Sequence, residues 1–175
     1  SEALADRAAS NMLLVDRRLS SFSDTKFVNL PELLHPGDVL VLNNTRVIPA
    51  RLYGTTDTGA SVEIFLVEAV GEGKWRALAK PGRRLSIGKT VVFDQKMSAE
   101  VAEKDDSGSV VISFMGDSDL ESDIDRLGRT PLPPYIKRDP TEVDADRERY
   151  QTVFGKSRGA IAVPTAGLHF TDDML

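Results

Sequence analysis

Apolar and polar positions change rhythm twice along this chain. At the front, "NMLLVD" (11–16) is a short apolar run closed by a charged turn, which predicts a buried strand. "NLPELL" (29–34) predicts a helix of one to two turns, with Asn29 as its cap and Pro31 in the first turn. "HPGD" (35–38) is a turn that feeds "VLVLNN" (39–44), a continuous apolar strand ending in two asparagines. From Arg51 to Met115 the texture becomes β-rich. "SVEIFLVEAV", "KWRALAK", "KTVVFD", "SAEVAEK" and "SVVISFM" are separated by "GEG", "PGRR", "DQKM" and "DDSG", all of them turn chemistry. Short strands at this spacing predict a small antiparallel β-barrel.

Helical spacing then returns. In "SDLESDIDRLG", Ser118 and Glu121 form a capping-box pattern, Leu120, Ile124 and Leu127 share one face, and Gly128 stands at the end. "TPLPPYIKRDP" (130–140) is no regular helix, because its prolines lack donors and push their neighbours to extended conformations. "TEVDADRERYQTVF" (141–154) predicts a helix, and "GAIAV" (159–163) a short buried strand. Thr171 resembles a helix N-cap followed by two acidic residues, yet the chain stops at Leu175 as the apolar face would begin.

The order is α/β, then β, then α/β again. The economical reading is an α/β domain made of residues 1–50 and 116–175, with a barrel domain, 51–115, inserted into it. The helix capped at Thr171 and not built makes the α/β domain incomplete, and the missing initiator Met suggests trimming at the front as well.

Composition narrows the chemistry. With 175 residues, 41% hydrophobic and 28% charged, the chain has the make-up of an ordinary soluble domain with a real core. A net charge of -5 argues against a generic basic nucleic-acid binder. The absence of cysteine excludes disulfides, thiolate zinc sites and a Cys nucleophile. The two histidines, His35 and His169, are far apart in sequence, so no metal site is expected. No apolar run has membrane-spanning length, and the front has no signal-peptide core, so a cytoplasmic protein without membrane contact is expected.

Four stretches could carry chemistry, each with a plainer reading beside it. "LNNTRVIPARLYG" (42–54) gathers amides and guanidiniums at a strand mouth, which suits a phosphate or a polyhydroxy ligand; a turn with solvated arginines explains it equally well. "KWRALAKPGRRLSIGK" (74–89) holds six basic residues and no acidic one, so the rest of the chain carries -11 of the total of -5. Segregated charge of that kind suits a phosphate backbone, or simply protects a barrel edge. "PLPPYIKR" (131–138) could hold Tyr135 out as a base-stacking platform or be a stiff link. "PTAGLHF" (164–170) sets Thr165, Gly167 and His169 between a strand and a helix N-terminus, where α/β folds bind ligands. A lone histidine there is also often structural.

Taken together, "PGDVLVLNNTRVIPARLYG", "KPGRRL", "PLPPYIKR", "DADRERYQTVF" and "GAIAVPTAGLHFT" stand in the order and spacing of one family. From about Leu33 to Leu175 the chain closely resembles the S-adenosylmethionine:tRNA ribosyltransferase-isomerases of bacterial queuosine biosynthesis. Members run to about twice this length, with "PTAGLHFT" near the midpoint, so the resemblance implies a partial chain that is inactive alone. The family usually has an Arg before the "LLV" strand where this chain has Asn11 and Met12, so no role passes to Asn11.

The resemblance implies transfer and isomerisation of the ribosyl part of S-adenosylmethionine onto 7-aminomethyl-7-deazaguanine at the tRNA wobble position. Adenine and methionine leave, and epoxyqueuosine results. S-adenosylmethionine is a consumed co-substrate, and no resident cofactor or metal is implied. Carried over by motif, Asn43, Thr45, Arg46 and Arg51 line the site at the strand mouth, and Thr165, Gly167 and His169 face it. Lys80 and Arg83 are candidates for tRNA phosphates and Tyr135 for base stacking. His169 is the candidate general base, with Arg46 beside it as a candidate for the chemistry. Two other classes stay open: a non-catalytic RNA-binding barrel module, and a structural, degenerate relative.

Overall fold

Residues 6–116, 119–133 and 147–175 are described by the computed structural model. The first apolar run does form a strand, β1 (Asn11–Asp16), paired antiparallel with β2 (Ser21–Lys26) from Asn11↔Lys26 to Asp16↔Ser21. It is not buried as expected. Leu13, Val15 and Phe22 stand exposed, because the two strands form a sheet of their own with no third strand beside them among the described residues. The helix expected at 29–34 is a 3₁₀ turn that starts earlier, Phe27–Leu33. Asn29 caps nothing and instead donates from Nδ2 to Thr25 Oγ1 at 3.0 Å. The "HPGD" turn forms as expected, with Gly37 at φ +98° and Asp38 N–H donating to the His35 carbonyl at 3.0 Å.

The expected strand 39–44 does not form. Val39 and Val41 are 85% and 88% exposed. A strand needs a neighbour for its N–H and C=O groups, and no described strand forms a ladder with this run. Strand structure begins just after it, at β3 (Thr45–Val47), whose partner comes from near the end of the chain.

The barrel is present and has one strand more than the five expected segments. β4 (Arg51–Thr56) precedes β5 (Ser61–Gly71), β6 (Lys74–Lys80), β7 (Thr90–Val92), β8 (Ser98–Lys104) and β9 (Ser109–Met115). They close in the order β4-β5-β6-β9-β8-β7, with β7 returning to β4. Alternation fills the interior: Leu52, Ile64, Leu66, Val91, Val101 and Ile112 are fully buried, while their neighbours face outward. The seam depends on Gly54, where a Cβ would lie 2.7 Å from both Val91 Cγ1 and the Val92 carbonyl oxygen. Any side chain there would part β4 from β7.

Helix α1 (Leu120–Leu127) lends Ile124 to the barrel core, with Leu120 and Leu127 packed against it. Asp119 rather than Ser118 caps it, accepting from Glu121 N–H at 3.3 Å; Ser118 lies outside the described residues. Gly128 ends the helix as expected, but not through a left-handed turn, since its φ is -74°. It is there because a Cβ would overlap the Pro49 carbonyl oxygen. Residues 130–133 are not helical, and Tyr135 with the rest of the proline segment lies outside the described residues. Of the helix expected at 141–154, residues 141–146 also lie outside them, and the described part is helical only at 147–149.

The closing strand is displaced from its expected place. β10 is Ser157–Ala160, largely exposed, and runs parallel to β3 with Ser157↔Thr45 and Arg158↔Arg46. Thr171 precedes a 3₁₀ turn, Asp172–Met174, without a side-chain cap bond.

Gln151 takes the other edge of β3. Its buried amide accepts from Val47 N–H at 2.9 Å and donates to the Val47 carbonyl at 2.8 Å, as a neighbouring strand would. Arg7 fixes the same residue by donating to its carbonyl at 2.6 Å. Gln151→Ala leaves a buried N–H and C=O unsatisfied, so we expect a loss of about 2 kcal/mol in urea unfolding. A loss within about 0.5 kcal/mol, the range of an ordinary surface substitution, would show that β3 does not depend on this amide.

Candidate functional site at the β3–β10 mouth

The segments around Asn43 and Gly155 meet where β3 and β10 run side by side. Asn43 folds its side chain back to accept from Thr45 N–H at 3.0 Å, which turns the chain into β3. The Asn44 carbonyl accepts from Lys156 N–H at 2.7 Å and Ser157 N–H at 3.0 Å, which brings β10 alongside. Gly155 sits against the Thr45 carbonyl oxygen, where a Cβ would come within 3.1 Å, and against Thr152. Thr152 in turn touches Gly167, whose Cβ would lie 2.8 Å from Thr152 Cγ2 and 3.0 Å from the Phe154 ring. Thr45, Thr152, Gly155 and Gly167 therefore form one contiguous wall. The Thr152 hydroxyl is buried in it and has no hydrogen-bond partner among the described residues.

His169 ends the 3₁₀ turn Thr165–His169. Its half-buried ring lies 5.3 Å from the Phe27 ring, and Phe27 meets Phe170 edge-on at 5.0 Å. Phe170 meets Phe154 at 5.7 Å, so the imidazole stands at the end of an aromatic row that reaches the Gly167 wall. Thr165 is exposed.

Two arginines pair in register at this mouth and differ in charge availability. Arg158 is held by Asp125 through two parallel bonds of 2.8 and 2.9 Å, with Glu121 at 3.5 Å. Those carboxylates, Asp125 first, push its guanidinium further toward the charged form. Arg46 is exposed and makes no ion pair among the described residues. Among the described residues it and the exposed Lys156 are the cations at this mouth without an ion pair, which suits an anionic ligand.

Arg51 belongs elsewhere. It lies on the outer face of β4, where its guanidinium binds Glu63 at 2.9 Å and lies 5.5 Å from the Phe65 ring. Of the six basic residues in 74–89, Arg76 and Lys89 pair with Glu68 and Asp57, and Arg84 donates to the Ser61 carbonyl at 3.0 Å. Lys80 and Arg83 are exposed and form no ion pair among the described residues.

Several contributors were not singled out in the sequence. Gln151, Thr152 and Phe154 lie inside "DADRERYQTVF" and Phe170 inside "PTAGLHF", but their residue types announce no role, and Phe27 lies outside every motif. Tyr53 and Glu63 had a legible signal, since they occupy the outward positions that alternate with Leu52, Ile64 and Leu66, but reading it required the β4–β5 register Tyr53↔Glu63.

Comparison with known proteins agrees with the motif pattern. The family model described as "Queuosine biosynthesis protein" matches residues 1–175. The S-adenosylmethionine:tRNA ribosyltransferase-isomerase of Solibacter usitatus is 46% identical, over 99% of this chain and 54% of its own length. That of Trichlorobacter lovleyi is 43% identical, over 97% of this chain and 49% of its own. A crystal structure of S-adenosylmethionine tRNA ribosyltransferase from Thermotoga maritima is 30% identical, covering 90% of this chain and 51% of that one, at a TM-score of 0.40. The chain thus spans about half the length of these relatives. Since the family model matches residues 1–175 of the chain, the chain belongs to the queuosine biosynthesis protein family.

Proposed function

We propose that this polypeptide, together with the half its relatives carry beyond it, transfers and isomerises the ribosyl part of S-adenosylmethionine onto a tRNA base. The acceptor is 7-aminomethyl-7-deazaguanine at the wobble position and the product epoxyqueuosine, with adenine and methionine released. The observation that carries this reading is the identity of 43–46% with proteins named for that activity, sustained over 97–99% of the chain. S-adenosylmethionine is consumed in the reaction, and a tRNA substrate makes the cytoplasm the place of work.

In this reading the β3–β10 mouth receives S-adenosylmethionine. Asn43, Thr45 and Thr165 offer polar contacts, and Arg46 offers an exposed cation with no ion pair among the described residues. His169 takes the proton next to the sulfonium. The barrel, 51–115, is an insertion in an α/β domain formed by 1–50, 116–175 and the remaining half. Val39 and Val41, exposed here, then pack under that half. Nothing in the relatives' names favours a barrel that only binds RNA.

The test is genetic. The extended protein, expressed in bacteria lacking their own ribosyltransferase-isomerase, should restore queuosine to tRNA digests examined by mass spectrometry. Digests that retain only 7-aminomethyl-7-deazaguanine would overturn the reading.

A further inference from the structure

The outer wall of the barrel carries a cleft that the β3–β10 mouth does not use. It encloses about 620 Å³ and is lined by Tyr53, Gly54, Glu63, Lys80, Pro81 and Phe93, among others. The register explains how these side chains meet. Tyr53 pairs with Glu63, and Glu63 with Lys80, so a phenol, a carboxylate and an ammonium stand in one row across β4, β5 and β6. Gly54, which lets β7 close on β4, brings Phe93 to the opposite side.

Two members of the row, Tyr53 and Glu63, are supported from behind. Arg129 lies 5.0 Å from the centre of the Tyr53 ring without itself lining the cleft, and its backbone pairs with that of Arg51. Arg51 in turn binds Glu63 at 2.9 Å. Burial, and then the Glu63 carboxylate, push the Tyr53 phenol above its ordinary pKa, so it stays a neutral aromatic hydroxyl at physiological pH. Tyr53 is nonetheless 47% exposed, with ring surface open to a ligand. At the rim, Ser61 lines the cleft while its carbonyl anchors Arg84, and Arg83 and Lys80 stand exposed on either side of Pro81 and Gly82.

We propose that this cleft holds one unpaired nucleotide of an RNA, with its base against Tyr53 and its phosphate at Lys80. An aromatic surface beside a cationic rim is the arrangement by which single strands are held, the base stacking on the ring and the backbone following the charge. Glu63 adds an acceptor in the wall for the amino or imino hydrogens of the base edge. The charge distribution favours RNA over an acidic peptide, which would match the rim but leave the open ring without a planar partner. The inference rests on the reading of the chain as part of a tRNA-modifying enzyme, and names a part of the barrel that touches the RNA.

The test uses the 175-residue chain and a short fluorescein-labelled single-stranded RNA, read by fluorescence anisotropy. Tyr53→Ala should weaken binding roughly 5- to 150-fold, the usual contribution of one stacked base, whereas Tyr53→Phe should bind as the parent does. Lys80→Glu should weaken binding and reduce the slope of log affinity against log salt by about one, as expected for a single phosphate contact. Cross-linking with 5-bromouridine RNA should label the peptide that contains Tyr53. Thermal unfolding of each variant serves as the control for folding. RNA binding that is unchanged by Tyr53→Ala in a folded variant overturns the cleft while leaving RNA as the substrate class. No RNA binding by the parent chain overturns the cleft too, and leaves the enzymatic reading to its own test on the extended protein.

Discussion

His169→Asn in the extended enzyme should lower turnover by roughly 10²–10⁴-fold while both substrates still bind, the usual contribution of a general base. The acidic limb of the pH–rate profile should vanish with it, because the group that has to lose a proton is gone. The aromatic row supplies the competing outcome. His169 touches Phe27, and Phe27 touches Phe170, so the ring could serve only to seat the loop after Val163. In that case the substitution weakens substrate binding and lowers the unfolding temperature, and the residual activity keeps its pH dependence. Steady-state kinetics across pH, with a melting curve on the same sample, separates the two roles. Normal turnover with normal stability would defeat both.

Gly128→Val should cost about 3 kcal/mol in urea unfolding of the chain. A side chain there meets backbone on two sides, the Pro49 carbonyl overlapping it and the Ile124 carbonyl 2.5 Å away, so no rotamer relieves it. The end of α1 must lift, taking Ile124 and Leu127 from the barrel core they help to close. Gly71→Ala is the control: a Cβ there meets only the Lys74 side chain, at 3.9 Å, and stability should stay within about 0.5 kcal/mol. Equal effects at the two glycines would mean that α1 does not lean on Pro49.

These two residues were not equally legible. Gly128 was readable as a helix end, but its close approach to Pro49 depends on how α1 meets the barrel, which no local pattern encodes. The barrel itself was readable because its strands follow one another, so each turn and each alternating run reports on neighbours a few residues away. β4 escaped for a different reason: the amides and arginines of 42–54 drew attention as ligand groups, and Arg51 to Thr56 turned out to be the sixth strand. The run 39–44 shows the limit of apolar patterning. Its composition suits a strand, but a strand also needs a partner, and none forms a ladder with it among the described residues. β3 found partners that no periodicity announces, a parallel strand from more than a hundred residues away and the side-chain amide of Gln151.

The site was legible mainly through its motifs. Their order pointed to the family, and the structure then showed which motif residues come together. Asn43 and Thr45 meet the Gly167 wall through Gly155 and Thr152, whereas Arg51 is turned to Glu63 on the barrel. Gly167 is expected to face the site, but the space where its side chain would stand is taken by Thr152 and Phe154. Its small size serves packing there, which in turn places His169.

Our central proposal is that these 175 residues form the barrel-bearing part of an S-adenosylmethionine:tRNA ribosyltransferase-isomerase. Release of adenine from S-adenosylmethionine tests it most directly, measured with this chain joined to the second half of a relative and with tRNA bearing 7-aminomethyl-7-deazaguanine. The account predicts one adenine per modified tRNA, no release when that tRNA is omitted, and no release from the 175-residue chain by itself. Adenine release that ignores the tRNA, or a joined protein that folds, binds both substrates and releases none, would contradict it.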